Sequence, residues 1–314
     1  MNIIRGIDRY TRPAYPVLTI GNFDGMHVGH QALLNTVVRR AEATGGTATV
    51  LTFDPHPVTV LKPDIRLQLL SAPDEKLGRI AATGIHEVLF LTFDRAFAGL
   101  SPEAFVSTVL IDGIGARELF VGEHFAFGKG RTGTIDDLRR LCARAGTTVM
   151  PVPPTHLDGE IVSSTRVRRL LLSGDVHQAA RCLGRWYSLS GVVVEGARRG
   201  RELGWPTANL RLPEQRVLPP DGVYAGFTCR HDVRYASAAY IGARPTFGAG
   251  ERLLEIYLLD QTMSLYGESI CFEFVERLRD DATFASAQAL SAQIETDIRR
   301  TKEALATTAD LAQR

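Results

Sequence analysis

The sequence has no strong excess of charge, since 36 basic and 35 acidic side chains among 314 residues leave a net charge of +1. A protein that binds nucleic acid or an anionic membrane electrostatically usually carries a basic excess, so neither partner is expected. We therefore expect small-molecule partners, and self-association that is weak at most.

Long apolar segments are also missing. No run of apolar residues approaches the length that spans a membrane. Residues 1–13 are interrupted by Arg5, Asp8, Arg9 and Arg12, so they lack the apolar core of a secretory signal peptide. The expected location is the cytoplasm.

Cysteine is scarce, and its spacing does not indicate a metal site. The chain has four cysteines, separated from one another by about 40 residues, namely Cys142, Cys182, Cys229 and Cys271. This is the spacing neither of a zinc site nor of a redox motif. We expect reduced and mostly buried thiols, as in cytosolic proteins.

The most informative feature that is present is a glycine-rich turn over residues 21–30. It joins an apolar run at residues 16–20, which reads as a strand, to a segment with helical spacing of apolar residues. The glycines allow close backbone approach, and exposed N–H groups at a helix start attract phosphate. His27 and His30 are three residues apart, which places both rings on one face. The pattern predicts a polyphosphate site.

Two other interpretations of this turn are available. The histidines could form half of a metal site, or they could be solvated residues of an ordinary tight turn. The sequence offers no nearby cluster of further ligands, and every position of the longer pattern is filled. The nucleotide site is therefore preferred.

The first half of the chain alternates strands with helices. Strands are predicted at residues 49–53, 87–93, 118–121 and 147–152, and helices at residues 73–82, 102–111 and 136–145. This alternation predicts a parallel sheet covered by helices, whose ligands bind beyond the carboxyl ends of the strands. The histidine turn lies at that edge.

Two further segments follow predicted strands of this half. In residues 52–57, prolines cannot continue the strand, so Asp54 and His56 are expected to point into the ligand crevice. Residues 121–131 combine aromatic side chains with glycines and two cations, a mixture that suits a planar ring and a phosphate.

A third segment, residues 163–168, starts a predicted helix that runs to Leu172. Ser163 and Ser164 are placed to cap this helix, and Arg166 follows close to the capped end. Cations at a helix N-terminus oppose its dipole, so we expect an anion to bind there. For all three segments the alternative is a structural turn, a cap or a solvated charge.

The second half changes to short β-branched runs separated by glycine and proline turns. Strands are predicted at residues 187–194, 223–230, 233–241, 253–259 and 269–275, and a final helix at residues 286–305. These elements predict an antiparallel β-barrel with a terminal helix. We place the domain boundary between Cys182 and Ser188, which gives domains 1–184 and 185–314.

Residues 196–210 of the second half combine glycines, three arginines and a polar strand. In an extended segment Thr207 and Asn209 alternate to one face. A basic surface hairpin is the alternative interpretation.

Glu255 is a carboxylate flanked by apolar residues on a predicted strand, where a lone acidic side chain is usually solvated.

Together, these motifs resemble the bacterial bifunctional riboflavin kinase/FAD synthetase family over nearly the whole chain and in the family's order. The resemblance implies a Rossmann-like nucleotidyltransferase domain followed by a riboflavin kinase barrel. It implies phosphorylation of riboflavin to FMN, and adenylylation of FMN to FAD with release of pyrophosphate. The implied substrates are ATP, riboflavin and FMN, and the implied cofactor is Mg²⁺.

The resemblance also implies roles for residues of the first half. His27, His30 and Arg166 would act on the ATP phosphates by alignment and charge neutralisation, because the FMN phosphate is already an anion and needs no base. The implied nucleotide contacts are Gly21, Phe23, Gly29, Ser163 and Ser164. The implied flavin contacts are Asp54, His56, His124 and Phe127.

In the second half, the resemblance makes Glu255 the base that acts on the ribityl 5′-hydroxyl. An alcohol must lose a proton as it attacks the γ-phosphate, so a kinase needs a positioned carboxylate and a metal. Thr207 and Asn209 would bind nucleotide phosphate and magnesium, with Thr207 as the metal ligand. Further implied contacts are Gly196, Arg201 and Gly204 to the nucleotide and Arg279 to the flavin.

Tyr240 departs mildly from the family pattern, because it stands where Asn is common. The larger departure is His124, which stands where members usually carry Asn or Asp. This leaves one alternative, a riboflavin kinase whose adenylyltransferase specificity is lost or altered. A second alternative is a non-catalytic flavin-binding regulatory protein. Thr207, Asn209 and Glu255 speak against the second alternative, since a protein that only binds flavin does not need the base.

Overall fold

The computed structural model describes residues 1–195, 205–212, 215–231, 233–243, 252–261 and 263–308. The chain forms two compact units, Met1–Ser163 and Ser164–Arg314. In the described ranges, every helix is too short or too polar to span a bilayer.

The first unit is built on a six-stranded parallel sheet with the order β1-β4-β3-β2-β5-β6. Its strands are β1 (Asn2–Arg5), β2 (Pro16–Ile20), β3 (Thr47–Asp54), β4 (Glu87–Thr92), β5 (Glu118–Gly122) and β6 (Thr148–Val152). The chain moves from β2 to β3 on one side and later returns to β5 on the other. The strand order therefore reverses at β2, and the carboxyl end of this strand is where such sheets bind ligands.

Helices cover both faces of this sheet. They are α1 (Val28–Thr44), α2 (Pro57–Leu61), α3 (Pro73–Ala81), α4 (Arg95–Ala98), α5 (Pro102–Ala104), which continues as a π-helix over Phe105–Ile114, and α6 (Ile135–Ala143). Single 3₁₀ turns lie at Ile7–Arg9 and Lys129–Arg131, and a small hairpin consists of β7 (His156–Leu157) and β8 (Glu160–Ile161).

Successive side chains of each strand point to opposite faces, so this sheet has a separate hydrophobic core on each face. Val17 packs with α1 and α3 on one face, whereas its neighbour Leu18 packs with the π-helix and α6 on the other. Strands buried on both faces read as continuous apolar runs, which is why the strands of this unit are recognisable in the sequence.

An ion pair between the exposed Arg40 and the buried Glu118 connects α1 to the sheet. Glu118 accepts two hydrogen bonds from the guanidinium of Arg40, at 2.6 and 2.7 Å, and a third from the hydroxyl of Tyr15 at 2.7 Å. The Arg40 guanidinium, and then the Tyr15 hydroxyl, lower the pKa of Glu118 against the opposing effect of burial. This pair lies at the amino ends of the strands, opposite the edge where ligands bind.

The second unit is a closed antiparallel barrel with flanking helices. The strands close in the order β10-β13-β12-β11-β14-β9. The elements are α7 (Ser164–Leu172), α8 (Val176–Leu183), β9 (Tyr187–Val194), β10 (Ala208–Arg211), β11 (Gly222–Arg230), β12 (Val233–Ala243), β13 (Arg252–Leu258), β14 (Ser269–Asp280) and α9 (Ala287–Ala306).

Aromatic side chains fill the interior of the barrel. The largest of them are fully buried, namely Tyr187, Tyr224, Phe272 and Phe274. Gly226 leaves space for them, because a Cβ there would overlap the carbonyl oxygen of Glu273 and approach the Phe272 ring at 2.5 Å. The barrel therefore has a packed core, and its functional side chains must lie on its outer face or at its ends.

Two helices pack on the outside of the barrel. On α9, Ala304 joins a cluster with Val223 of β11 and Leu278 of β14. On α8, Ala180 is fully buried against Trp186 and Val275. Both α7 and α8 precede the predicted boundary near Gly184 and belong to the second compact unit. Whether the folding boundary lies at Gly184 stays a prediction.

The predicted architecture, a parallel α/β domain followed by an antiparallel barrel with a terminal helix, is confirmed. The sequence did not predict the edge strand β1 or the short helix α2. The helix predicted at residues 102–111 is present, but most of it has π geometry. The cysteines are free, with Cys142 and Cys182 buried and Cys229 and Cys271 half-buried.

Candidate active sites

The glycine-rich turn after β2 is packed into the core of the first unit. Phe23 and Met26 have left-handed backbone conformations, with φ of 52° and 42°, and each is only 1% exposed. Gly25, at φ 81°, has no space for a Cβ, which would lie 2.7 Å from the Leu70 side chain. The turn that carries both histidines is therefore rigid.

The carboxylate of Asp24 fastens this turn to the segment that leads into α3. Asp24 is 5% exposed and accepts hydrogen bonds from the backbone N–H groups of Leu70 (3.0 Å) and Ser71 (3.2 Å) and from the Ser71 hydroxyl (3.2 Å). The Ser71 hydroxyl in turn accepts from the N–H of Gly25 at 3.1 Å. The sequence analysis did not single out Asp24, because its partners lie more than forty residues away.

His27 and His30 meet at the start of α1. His27 is the N-cap residue, and its Nδ1 accepts a hydrogen bond from the N–H of His30 at 3.2 Å. Since Nδ1 is the acceptor, the proton of the neutral His27 ring is on Nε2. The two rings are stacked, with centroids 3.6 Å apart, and the Phe23 ring lies edge-on to His30 at 5.2 Å.

The surroundings of His30 keep its ring neutral. Burial, then the charges of His27 and Lys76, hold its pKa well below the usual value of 6.5. Its Nδ1 is buried and finds no hydrogen-bond partner among the residues that the structure describes. The His30 ring can therefore donate and accept hydrogen bonds at neutral pH but supplies no positive charge to a phosphate.

Lys76 supplies a positive charge at the same edge of the sheet. Its Nζ donates to the carbonyl oxygen of Asn22 at 3.4 Å and lies 5.6 Å from the centroid of the Phe90 ring. Burial lowers its pKa, and the carboxylates of Asp24 and Asp54 partly oppose this. The sequence analysis missed Lys76, because a single lysine in an amphipathic helix resembles any solvated residue.

Asp54 and His56, both predicted to contact the flavin, lie after β3 at the ligand-binding edge. Asp54 is exposed and forms an ion pair with Arg5 at 3.4 Å. His56 is the N-cap residue of α2, and its Nδ1 accepts from the N–H of Val58 at 3.2 Å. Their contact with flavin stays a prediction, and His56 also has this structural role.

An aromatic surface lies at the ends of β3, β4 and β5. Phe127 is 6% exposed, stacks on Phe125 with centroids 5.8 Å apart, and packs against Phe105 at 5.7 Å. The surface continues beyond Phe105 through the rings of Phe97, Phe93 and Phe53. The centroids of neighbouring rings in this group are 5.5 to 6.0 Å apart. His124 is exposed at its border. Only Phe127 and His124 were predicted, because the other rings meet through folding.

The remaining predicted residues of the nucleotidyltransferase site lie in the turn and at the start of α7. Gly21 precedes Phe23, whose ring would lie 3.0 Å from a Cβ at position 21. Gly29 is in the first turn of α1, beside the His27 ring. Ser163 ends the first unit, whereas Ser164 and Arg166 lie in the second unit at the start of α7. Their contacts with ATP stay predictions.

In the second unit, three polar side chains lie in register across neighbouring strands. Asn209 of β10 is opposite Glu255 of β13, which is opposite Tyr240 of β12. Directly opposed residues share a face, and this face is the one opposite to the fully buried Leu210 and Leu254. The exposed fractions of Asn209 and Glu255 are 5% and 9%. The predicted base and the predicted phosphate-binding residue are therefore neighbours.

The oxygen atoms of this group suit a hard cation. The Oδ1 of Asn209 is buried, and no described residue donates a hydrogen bond to it. Mg²⁺ prefers oxygen ligands and often takes only one or two from the protein, with the rest from phosphates and water. The described ranges contain no cluster of three or more His, Cys, Asp or Glu that could hold a metal. The buried Oδ1 of Asn209 is thus a suitable protein ligand, and metal binding by Thr207 stays a prediction.

Tyr240 borders this group and is held by Asp281. Its hydroxyl donates to the Asp281 carboxylate at 3.0 Å. Burial, followed by this hydrogen bond, raises the pKa of Tyr240 to about 12. Tyr240 therefore stays protonated and is an unsuitable proton acceptor at neutral pH, whereas the role of Glu255 as the base stays a prediction.

Arg279 has a structural partner in α9. Its guanidinium forms an ion pair with Asp297 at 2.9 Å and lies 5.6 Å from the Phe284 ring. This pair joins β14 to α9, and the predicted flavin contact of Arg279 stays a prediction.

Three further residues, predicted to contact the nucleotide, lie outside the described residues, namely Gly196, Arg201 and Gly204.

Both parts of the chain are similar to known protein families. The model of the FAD synthetase family matches residues 11–166, and the model of the riboflavin kinase family matches residues 183–305. The bifunctional riboflavin kinase/FMN adenylyltransferase of Pseudomonas fluorescens is 38% identical over 305 residues, which cover 95% of this chain and 96% of the relative. The corresponding enzyme of Bacillus subtilis (strain 168) is 35% identical over 289 residues and covers 90% of each chain.

A solved structure is also similar along almost the whole chain. It is described as a macrolide-efflux protein from Streptococcus pneumoniae, is 30% identical, and has a TM-score of 0.89. The similarity covers 96% of this chain and 99% of that one.

Proposed function

Because the chain belongs to the bifunctional riboflavin kinase/FMN adenylyltransferase family, we propose how its residues divide two consecutive reactions. The chain phosphorylates riboflavin with ATP to give FMN. It also transfers the adenylyl group of ATP to FMN, which gives FAD and pyrophosphate. In the proposal, the barrel unit performs the first reaction and the parallel α/β unit performs the second.

The observation that carries this proposal is the separation of the two candidate sites. His27 and His30 lie at the carboxyl edge of the parallel sheet in the first unit. Asn209 and Glu255 lie side by side on the barrel of the second unit. The two reactions need different chemistry, namely a base for an alcohol and aligned hydrogen-bond donors for a phosphate, and in the proposal each site supplies one of these.

In the kinase reaction, Glu255 receives the proton of the riboflavin 5′-hydroxyl. The hydroxyl oxygen forms a bond to the γ-phosphorus of ATP while the bond from that phosphorus to the β-phosphate oxygen breaks, which releases ADP. Glu255 is shielded from water, and a carboxylate in such a position is an effective base. Mg²⁺, when bound, would be held by Thr207 and Asn209 and would neutralise phosphate charge.

In the adenylyl transfer, the FMN phosphate is already an anion and no base is needed. His27 and His30 donate hydrogen bonds to the triphosphate, and their rigid turn keeps these donors in place. In this proposal, Arg166 adds positive charge to the same phosphates. Gly21, Phe23 and Gly29 shape the turn, and Ser163 and Ser164 provide further donors.

The aromatic surface around Phe127 is the proposed position of the isoalloxazine ring, because planar rings stack on such side chains. Asp54, His56 and His124 border this surface in the proposal. For the barrel, the proposed flavin contact is Arg279.

Both reactions consume ATP, so the proposal includes a cytoplasmic location, and it needs no partner besides the small-molecule substrates.

Labelled ATP tests the proposal. With riboflavin and Mg²⁺, label in the γ-phosphate should appear in FMN and FAD, whereas label in the α-phosphate should appear only in FAD. His30→Ala should stop the α-label from reaching FAD and leave the γ-label in FMN unchanged. Glu255→Gln should keep both labels out of FMN and FAD when riboflavin is the substrate, because no FMN is formed, and it should still convert added FMN to FAD. Equal loss of both reactions in either variant would argue against two separate sites.

A further inference from the structure

Lys76 has an ammonium group with few partners at the edge where the histidines lie. The ammonium carries three N–H donors, and its contacts in the described part of the chain are the Asn22 carbonyl at 3.4 Å and the face of Phe90. The first contact is long for a charged hydrogen bond, which is usually below 3 Å. Lys76 is half-buried, so its ammonium is partly removed from water without a matching ion pair.

The nearby carboxylates are occupied by other donors. Asp24 accepts from Leu70 and Ser71, and Asp54 forms an ion pair with Arg5. A lysine that only stabilises the fold would normally form an ion pair with one of these carboxylates. In the described part of the chain, the Lys76 ammonium is thus left with a carbonyl and a ring face as partners and without an ion pair.

The position of this cation matches a need of the adenylyl transfer. FMN brings a phosphate anion and ATP brings a triphosphate, so the two substrates repel each other strongly. Of the two stacked histidines, His30 is neutral and cannot reduce this repulsion by charge. Lys76 lies beside them, since its charge acts on His30 and its Nζ contacts Asn22 of the same turn.

We propose that Lys76 binds a phosphate group of the reacting substrates in the adenylyltransferase site. The inference rests on the proposed function of the first unit. An FMN phosphate oxygen forms a bond to the α-phosphorus of ATP, and the bond from that phosphorus to the bridging oxygen breaks, with the electron pair leaving on pyrophosphate. No proton is transferred. The ammonium lowers the repulsion between the phosphates as they approach.

The test uses the full chain with three variants, Lys76→Met, Lys76→Arg and Lys62→Met. Lys62 is an exposed lysine of the same unit and serves as the matched control for loss of one positive charge. FAD formation from FMN and ATP is measured with each substrate varied in turn, and riboflavin phosphorylation is measured in the same samples. Thermal unfolding is followed for all four proteins.

Lys76→Met should lower kcat/KM for FAD formation by about 10- to 100-fold, as expected for loss of a charged phosphate contact. Lys76→Arg should recover most of this loss, and Lys62→Met should match the wild type. Riboflavin phosphorylation should be unchanged in all variants. A weaker affinity for FMN would identify the FMN phosphate as the bound group, whereas a weaker affinity for ATP would identify the triphosphate.

Two results would overturn the inference. One is wild-type kcat/KM in Lys76→Met. The other is a Lys76→Met protein that unfolds or loses more than about 5 °C of its thermal midpoint, because this would mean that the lysine stabilises the fold. Failure of the proposed function is distinguishable, since then the wild-type chain itself would form no FAD from FMN.

Discussion

The imidazole rings of His27 and His30 are stacked, with centroids 3.6 Å apart and planes inclined by 18°. The backbone N–H of His30 donates to Nδ1 of His27, so the cap of α1 and the stack depend on each other. A proton on either ring would place a charge against its neighbour. The buried His30 ring is held neutral at neutral pH, because its pKa lies well below 6.5.

This neutrality predicts a pH-dependent stability. In the unfolded chain His30 has its ordinary pKa of 6.5, whereas in the folded protein its pKa lies well below that value. Between these two pKa values the unfolded chain binds a proton that the native protein does not, so stability falls as pH decreases below about 6.5. His30→Gln should reduce this dependence.

The measurement is urea denaturation of both proteins at several values between pH 8 and pH 5. Other titrating groups affect both proteins equally, so the difference between the two curves reports His30. Parallel curves would show that His30 has the same pKa in the folded and unfolded states.

The second prediction concerns Glu255. Replacement by Gln keeps the shape and removes the base, so kcat for riboflavin phosphorylation should fall by roughly 100-fold or more. Riboflavin affinity, measured from the quenching of its fluorescence, should change little. Asn209→Asp is a useful comparison, because it keeps an oxygen beside Glu255. A Glu255→Gln enzyme with normal turnover would exclude Glu255 as the base.

The third prediction decides where the kinase domain begins. A fragment of residues 164–314 keeps α8, whose Ala180 packs against Trp186 and Val275. A fragment of residues 186–314 exposes this apolar cluster and should unfold at a lower temperature, although it keeps the whole barrel. The longer fragment should phosphorylate riboflavin without forming FAD. Equal thermal midpoints for both fragments would favour the boundary near Gly184.

The fourth prediction concerns His124, which is exposed at the border of the aromatic surface. The imidazole is bulkier than the side chain of Asn and offers different hydrogen-bonding groups. If His124 contacts FMN, His124→Asn should change KM for FMN in FAD formation by about 3-fold or more. Riboflavin phosphorylation should not differ. Equal KM values for FMN in the two proteins would show that His124 does not contact the substrate.

Features determined by neighbouring residues were predictable from the sequence. The turn at residues 21–30 was recognisable because its glycines and histidines are local, and the buried strands were recognisable from their apolar runs. Asn209 and Glu255 were each singled out, but their register follows from strand pairing across 46 residues and needed the structure. Lys76 was missed because its significance depends on partners of Asp24 that lie far along the chain.

Other differences have similar causes. The strand β1 is short and mostly exposed, and it forms by pairing with β4, so its own residues give little signal. The π geometry of Phe105–Ile114 changes the hydrogen-bond pattern but preserves a helical spacing of apolar residues. Sequence periodicity therefore predicted a helix there and could not predict its type.

The barrel is closed but the parallel sheet is open, and this difference bears on how the protein aggregates at high concentration. Each barrel strand is paired on both sides, whereas the parallel sheet ends in two edge strands, β1 and β6. An unpaired edge can add a strand from another molecule, and Pro151 in β6 opposes this because it lacks an N–H. The strand β1 contains no proline and exposes Ile3. Aggregation of the native protein should therefore start at β1, and a charged residue at position 3 should delay it.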